Sequence, residues 1–350
     1  MVTHHPYIVS NRDFTKPLKP KDSTEYPTMK KDGSLTCFIP QTTDPNKPPF
    51  SETSSGALYC DWLTSVLADV KAETVKAETV KPPRVMIFIH GYANSWSKVI
   101  DPTDGLARMV SNFWSLATPS YPGPIILFDW PSDDVFGMLK PKQAYLNAQE
   151  VARNTAALSF DNKKIPIDLK TIIADIYKNK SGPQVAIDVV CHSMGNYVLQ
   201  QGAHLLDSGG ISRCLINAAA IADDSFNPTA NSPTEASGIN ACLDPSSGAA
   251  FVYFNTHDEV LKAAPDLWQP ELGRSGVQSA TNVYSCYKGE VDCSFIKSPI
   301  PSCGVSIHTS YYCSPDVLNS MIFLMTTEVP TAPSAIPGTK LILKRKHISD

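Results

Sequence analysis

The residue best placed to do chemistry in this 350-residue chain is a serine. Ser193 stands in "VVCHSMGNYVL", Val189 to Leu199, between an apolar β-branched run and what reads as the first turn of a helix. A serine at such a corner is the attacking group of the G-x-S-x-G nucleophile elbow. The sharp strand-to-helix turn exposes its hydroxyl and aims the helix N-terminus at any developing oxyanion. Strand and helix pack closely there, so the residues two before and two after must be small. Gly195 meets the second requirement. Cys191 stands where the motif has glycine and is still a small side chain.

A serine nucleophile needs a base, and elimination narrows the choice. His4, His5 and His347 lie in the terminal segments, and His90 belongs to the "HG" that closes an apolar run. His192 adjoins the serine but is expected to project away from it. His204 is eleven residues along the following helix, roughly 16 Å at 1.5 Å per residue. His257 and His308 remain. His308, in "SIHTSYYCSPDVLNSM", sits in a loop before the closing helix, from which an imidazole can swing over the nucleophile. The orienting acid has two sources. Asp258 follows the apolar run of "VYFNTHDEVLK", and Asp223 and Asp224 follow "LINAAAIA". Asp258 is preferred because its strand is nearer the histidine loop, and a triad carboxylate must sit beside the imidazole it orients. Asp223 and Asp224 then cap the following segment or line the cleft.

These residues need a scaffold that brings distant strand ends together. From Arg84 the pattern alternates: "RVMIFIHG", "PIILFDW", "QVAIDVV", "CLINAAAIA", "AAFVYFNT" and "TNVYSCY" read as strands. Between them "TDGLARMVSNFWSLA", "KQAYLNAQEVARNTAAL" and "NYVLQQGAHLLDSG" have helical spacing, and "SPDVLNSMIFLMTT" closes the series with Ser314 as N-cap and Pro315 at the first position. Near-continuous apolar strands alternating with amphipathic helices predict an α/β fold, a mainly parallel central sheet with helices on both faces. In such sheets the site lies outside the carboxyl ends of the strands. Residues 1–33 are polar and read as an arm laid over the surface. Residues 34–80 read as a strand and helix extension ending in the repeat "VKAETVKAETV". Residues 81–330 form the catalytic domain and 331–350 a tail.

Composition excludes other classes. The net charge of −4 offers no basic field for nucleic acid. No apolar run approaches the ~18 residues of a membrane span. "MVTHHPYIVSNRDFTKPLKPKD" has no apolar h-region, and scattered cysteines suit a reducing compartment, so the chain reads as cytoplasmic. Cys286, Cys293, Cys303 and Cys313 bracket His308 without the close pairs of a zinc site, and no dinucleotide fingerprint is present. No metal or cofactor is expected; a local disulfide near the histidine loop is the alternative use of these thiols. Trp96, Trp130, Phe136 and Trp268 are candidates for an apolar acyl or aryl pocket, with core packing as the alternative.

"FIHGYANSW", "FDWPS", "NAQEVARNTAAL", "CHSMGNYVLQQ", "NTHDEVLK" and "IHTSYYCSPDVLNSM", in that order over residues 84–328, resemble the α/β-hydrolase superfamily. More narrowly they are similar to a bacterial branch described only as α/β-hydrolases of unknown function. The resemblance implies a Ser193–Asp258–His308 triad in the hydrolase chain order, with the backbone amides of Tyr92 and Met194 as oxyanion hole. The expected activity is hydrolysis of a small-molecule ester, short-acyl or aryl esters favoured, through an acyl-enzyme. Acyltransferase, thioesterase or amidase chemistry with the same triad, or a non-catalytic binding module, are the alternatives. Oligomeric state is not legible.

Overall fold

In a computed structural model the described residues are 5–14, 30, 34–42, 44, 47–50, 56–76, 82–103, 105–132, 141–160, 167–178, 184–206, 210–227, 239–240, 242–243, 248–262, 272–277, 284–301, 306–327 and 340–342. Their strands are β1 (Tyr7–Ser10), β2 (Thr36–Phe38), β3 (Arg84–Ile89), β4 (Ile125–Asp129), β5 (Ala186–His192), β6 (Arg213–Asn217), β7 (Ala249–Phe254), β8 (Tyr287–Asp292) and β9 (Lys340–Ile342). They form one sheet in the order β2-β1-β4-β3-β5-β6-β7-β8-β9. Only β1 and β2 pair antiparallel; every other neighbouring pair is parallel.

The continuous apolar runs explain the two-sided burial. In β3, Ile87 and Ile89 face one core while Met86 and Phe88 face the other, following the period of two. The first core takes Trp62 from helix α1 (Tyr59–Lys76), Ala152 from α4 (Pro141–Ser159), Ile172 from α5 (Leu169–Lys178) and Val198 from α6 (Met194–Gly202). The second takes Val99 from α2 (Trp96–Ile100), Val110 from α3 (Leu106–Ser115) and Val317 from α7 (Pro315–Thr326). Phe88 and Ile87 are fully buried, each worth about 1.5–3 kcal/mol over exposure. The chain runs from β3 to β4 on one side and then to β5 on the other. The switch point therefore falls at the carboxyl ends of β3 and β5, where such sheets hold their ligands.

Several elements differ from the sequence reading. Tyr7–Ser10, expected in a surface arm, is a strand between β2 and β4. Residues 340–342, expected in a tail, pair with β8. The sixth expected strand, "TNVYSCY", gives way to Tyr287–Asp292, "YKGEVD", whose alternating burial marks a strand with one buried face. β6 ends at Asn217, short of "AAAIA". There Ala218 turns to φ +43°, its N–H donates to the Tyr253 carbonyl at 3.1 Å, and the chain crosses toward the serine. Ser314 does cap α7 with Pro at its start, although its hydroxyl makes no capping bond. Among the described residues no helix is long and apolar enough to cross a membrane.

Candidate active site

Ser193 sits between β5 and α6 with φ +52° and ψ −123°, a conformation an L-residue holds only when its surroundings impose it. The cause is close packing. A Cβ on Gly195 would lie 2.5 Å from the His90 carbonyl oxygen and closer still to that of Ile89, so only glycine lets α6 approach β3. A Cβ on Gly91 would lie 2.8 Å from the Ser193 Cβ. Behind the serine, its N–H donates to the Asn217 carbonyl at 3.0 Å. Its own carbonyl accepts from Asn196 N and Ala220 N at 3.1 and 3.2 Å. Asn196 also ties Ser193 O to Asn217 O through its side-chain amide, 3.0 Å to each. Cys191 is fully buried in β5, and its carbonyl accepts from the Asn217 amide at 3.2 Å. Burial pushes its thiol well above the ordinary range, which keeps it a neutral packing group.

Asp258 follows β7. Its Oδ1 accepts from Val260 N at 3.1 Å and Leu261 N at 3.0 Å, capping the single helical turn Glu259–Lys262. Its Oδ2 lies 2.7 Å from Nδ1 of His308. Burial favours the neutral acid, yet the His308 ring, its hydrogen bond and the Leu261 N–H outweigh burial and hold the Asp258 carboxyl below the usual range. A carboxylate at Nδ1 fixes the proton there and leaves Nε2 with a free lone pair. The segment Ile307–Cys313 is held to the same turn, since Ile307 N donates to Glu259 Oε1 at 3.0 Å. Its own cap is Ser306, whose hydroxyl accepts from His308 N at 3.0 Å.

His192 reaches the same group through the His308 backbone. Its Nε2 is 2.8 Å from the His308 carbonyl oxygen, and the two rings lie 4.7 Å apart. Burial, and then the neighbouring His308, lower its pKa to about 3, so it is a neutral donor that anchors the His308 backbone next to Ser193. The "HS" dipeptide carried that signal only as adjacency.

Asp223 and Asp224 lie in the turn after β6; the partner of His308 is Asp258. Burial, followed by the Asp224 charge, raises the Asp223 carboxyl to about 6. Tyr92, half-buried, follows Gly91 at the end of β3, and Met194 opens α6, whose first N–H groups have no partner within the helix.

The pocket candidates fare differently. Trp130 is completely buried, stacked 5.6 Å from His90, and its Nε1 donates to the His90 carbonyl at 2.7 Å. Trp96 begins α2 and packs against Phe14, Phe38 and Phe50. Both are buried in the core, since at a strand end an indole can close the core as readily as a cleft. Phe136 and Trp268 lie outside the described residues. Among those described, no three His, Cys, Asp or Glu side chains converge to hold a metal. Cys286 and Cys293 are free thiols. Cys313, which ends the histidine segment, is disulfide-bonded, a state commoner in oxidising compartments than in the cytosol.

A mainly parallel sheet, a serine on a strained strand–helix turn at its switch point and an Asp–His pair beside it define an α/β hydrolase. More narrowly, residues 68–275 match the alpha/beta hydrolases of unknown function, DUF900, and the chain belongs to that family. Among solved structures, prolyl oligopeptidase B from Galerina marginata, in its apo form, is similar over 76% of this chain at 14% identity and a TM-score of 0.26. The match spans 29% of that protein's length. No curated protein matches the chain.

Proposed function

We propose that the protein is a serine hydrolase that cleaves carboxylic esters through an acyl-enzyme. The observation that carries this reading is the 2.7 Å contact of Asp258 with His308 Nδ1, on a segment anchored to His192 next to the strained Ser193. In the first half-reaction the Ser193 hydroxyl gives its proton to His308 Nε2 as Oγ adds to the ester carbonyl. Asp258 stabilises the imidazolium. The oxyanion lies against the backbone N–H groups of Tyr92 and Met194. Collapse expels the alcohol, which takes the proton from His308. Water then repeats the sequence on the acyl-enzyme and releases the acid. The short-acyl preference loses its support from Trp96 and Trp130, which are buried in the core. Chain-length specificity is read from an ester series.

The test combines a fluorophosphonate probe with p-nitrophenyl ester turnover. The wild type is labelled and active. Ser193→Ala is not labelled, and Ser193→Ala and His308→Ala each lose about 10⁴-fold or more in kcat, since triad members act as a unit. Asp258→Asn loses about 10⁴-fold, while Asp223→Asn stays within a few-fold. A wild-type protein that is neither labelled nor active overturns the reading. A larger loss in Asp223→Asn than in Asp258→Asn overturns the choice of acid.

A further inference from the structure

The loop that carries the Tyr92 N–H is held in a costly shape. It leaves β3 at Gly91, passes Ala93 at φ +66°, and enters α2 at Ser95. A non-glycine residue in the left-handed region returns to the right-handed one unless its neighbours prevent it. The neighbours here are specific. Ser132 Oγ donates to the Gly91 carbonyl at 3.2 Å, and Asn94 N donates to the Ser132 carbonyl at 3.1 Å. The Asn94 amide donates back to the carbonyls of Gly91 and Tyr92, 3.0 Å each. Asn94 O accepts from Arg12 Nη2 at 2.6 Å and, at 3.4 Å, from Ser132 Oγ.

Arg12 comes from the far end of the sequence, two residues past β1. It is 3% exposed, which is unusual for a guanidinium. Its Nε donates to both oxygens of Asp129, at 3.0 and 2.8 Å, and Nη2 reaches Trp130 O at 3.0 Å as well as Asn94 O. Asp129 is held in turn by the Ser10 hydroxyl at 2.5 Å; His90 bridges to the loop, with Nε2 3.2 Å from the same carboxylate and from Trp130 N and Nδ1 2.7 Å from the Gly91 carbonyl. The fork therefore fixes the carboxylate at the end of β4 and the loop after β3 in one geometry. Only a planar, multi-donor group does this.

We propose that Arg12 is a positioning residue for the oxyanion hole: it sets the Gly91–Asn94 loop, and through it the Tyr92 N–H, for the tetrahedral intermediate. The proposal rests on the hydrolase reading above. Ser132 is the second brace of the same loop.

The experiment compares wild type with Arg12→Met, Arg12→Lys and Ser132→Ala. It measures kcat and KM on a p-nitrophenyl ester, affinity for an aryl trifluoromethyl ketone, and the thermal midpoint. The ketone adds Ser193 Oγ to its carbonyl carbon and places the resulting oxyanion in the hole. Removing one oxyanion donor costs about 10²–10³-fold in kcat, so a displaced donor is expected to cost about 10–100-fold. In Arg12→Met, kcat and ketone affinity fall together by that amount while KM stays within about threefold. Arg12→Lys keeps a charge against Asp129 and recovers the thermal midpoint, but not kcat or ketone affinity. Ser132→Ala leaves the Arg12–Asp129 pair in place and loses several-fold in kcat, which keeps the test decisive if the Arg12 variants unfold. Folded variants with wild-type kcat and ketone affinity, or an Arg12→Lys variant as active as wild type, overturn the proposal. If the wild type neither turns over nor binds the ketone, the hydrolase reading falls and takes this proposal with it.

Discussion

Among the described residues, two buried arginine–aspartate pairs stand at the sheet, one at each end of its strands. At the carboxyl end Arg12 meets Asp129, with Ser10 and His90 completing the carboxylate's shell. At the amino end Arg84, the first residue of β3, meets Asp188 in β5, with the Tyr121 hydroxyl 2.9 Å from the same carboxylate. Both carboxylates are completely buried. Their surroundings differ in what the donors reach next. Arg12 continues to the carbonyls of Asn94 and Trp130, so its pair is geared to the loop beside Ser193. The Arg84 donors reach Asp188 and the Tyr121 hydroxyl that shares it, and so join one strand start to the next. Under the proposal above, similar chemistry serves activity at one end of the strands and stability at the other.

The largest expected effect breaks each pair by removing its acid. Removing one partner leaves the other charge buried and uncompensated, which costs about 3–5 kcal/mol. Asp129→Asn and Asp188→Asn are therefore expected to lower the free energy of unfolding by similar amounts, measured by urea denaturation. Their kcat values per folded molecule separate them. Asp188→Asn stays within about twofold, while Asp129→Asn loses about 10–100-fold through the oxyanion loop. Equal losses of kcat in the two variants would mean that the amino-end pair also reaches the site.

Replacing whole pairs gives a smaller effect. Buried ion pairs exchanged for well-packed apolar groups are often neutral or stabilising. Arg84→Met with Asp188→Leu and Tyr121→Phe should leave stability within about 2 kcal/mol of wild type and activity unchanged. Arg12→Met with Asp129→Leu should recover much of the stability lost in Asp129→Asn but none of the kcat, since Asn94 O then keeps only the long 3.4 Å bond from the Ser132 hydroxyl. Recovered turnover in that double variant would make the carboxyl-end pair as purely structural as its counterpart.

The difference between the two ends bears on what was legible beforehand. Strands β3 to β7 could be read because each is a continuous apolar run, and the elbow could be read because Gly195 is dictated by backbone contact at β3. Asp258 and His308 followed from chain order and strand ends, and the structure brings those two side chains together. β1 could not be read in the same way. "YIVS" is too short to declare itself inside a polar segment, so Arg12 looked like an arm residue although it is among the most buried charges in the chain. β8 hid for a related reason: Lys288, Glu290 and Asp292 alternate with Tyr287, Gly289 and Val291, so only one face is apolar. Helix α5 carries Ile172, Ile173 and Ile176 at helical spacing but sits between two stronger patterns. Trp96 and Trp130 stayed open between pocket and core, because composition cannot tell an indole that closes the core from one that lines a cleft.

The finest test of the comparison is pH, where the two carboxylates should behave with opposite sign. Burial favours the neutral acid at both. At Asp129 the Arg12 charge and the His90 contacts outweigh burial, and the folded pKa lies below the usual carboxylate value. At Asp188 burial outweighs Arg84 and Tyr121, and the folded pKa lies above it. A lowered folded pKa contributes stability that is present above the unfolded pKa, near 3.9, and is lost as pH falls through the folded value. A raised folded pKa does the reverse: its contribution is complete below about 3.9 and is lost as pH rises through the folded value. The stability gap between wild type and Asp129→Asn should therefore narrow as pH falls from 7 toward 3.5, while the gap to Asp188→Asn should widen. Urea midpoints for the three proteins at pH 7, 5 and 3.5 read both gaps. Gaps that move in the same direction would mean that one arginine neutralises its partner as fully as the other, and that the two ends of the sheet differ only in what lies beyond the pair.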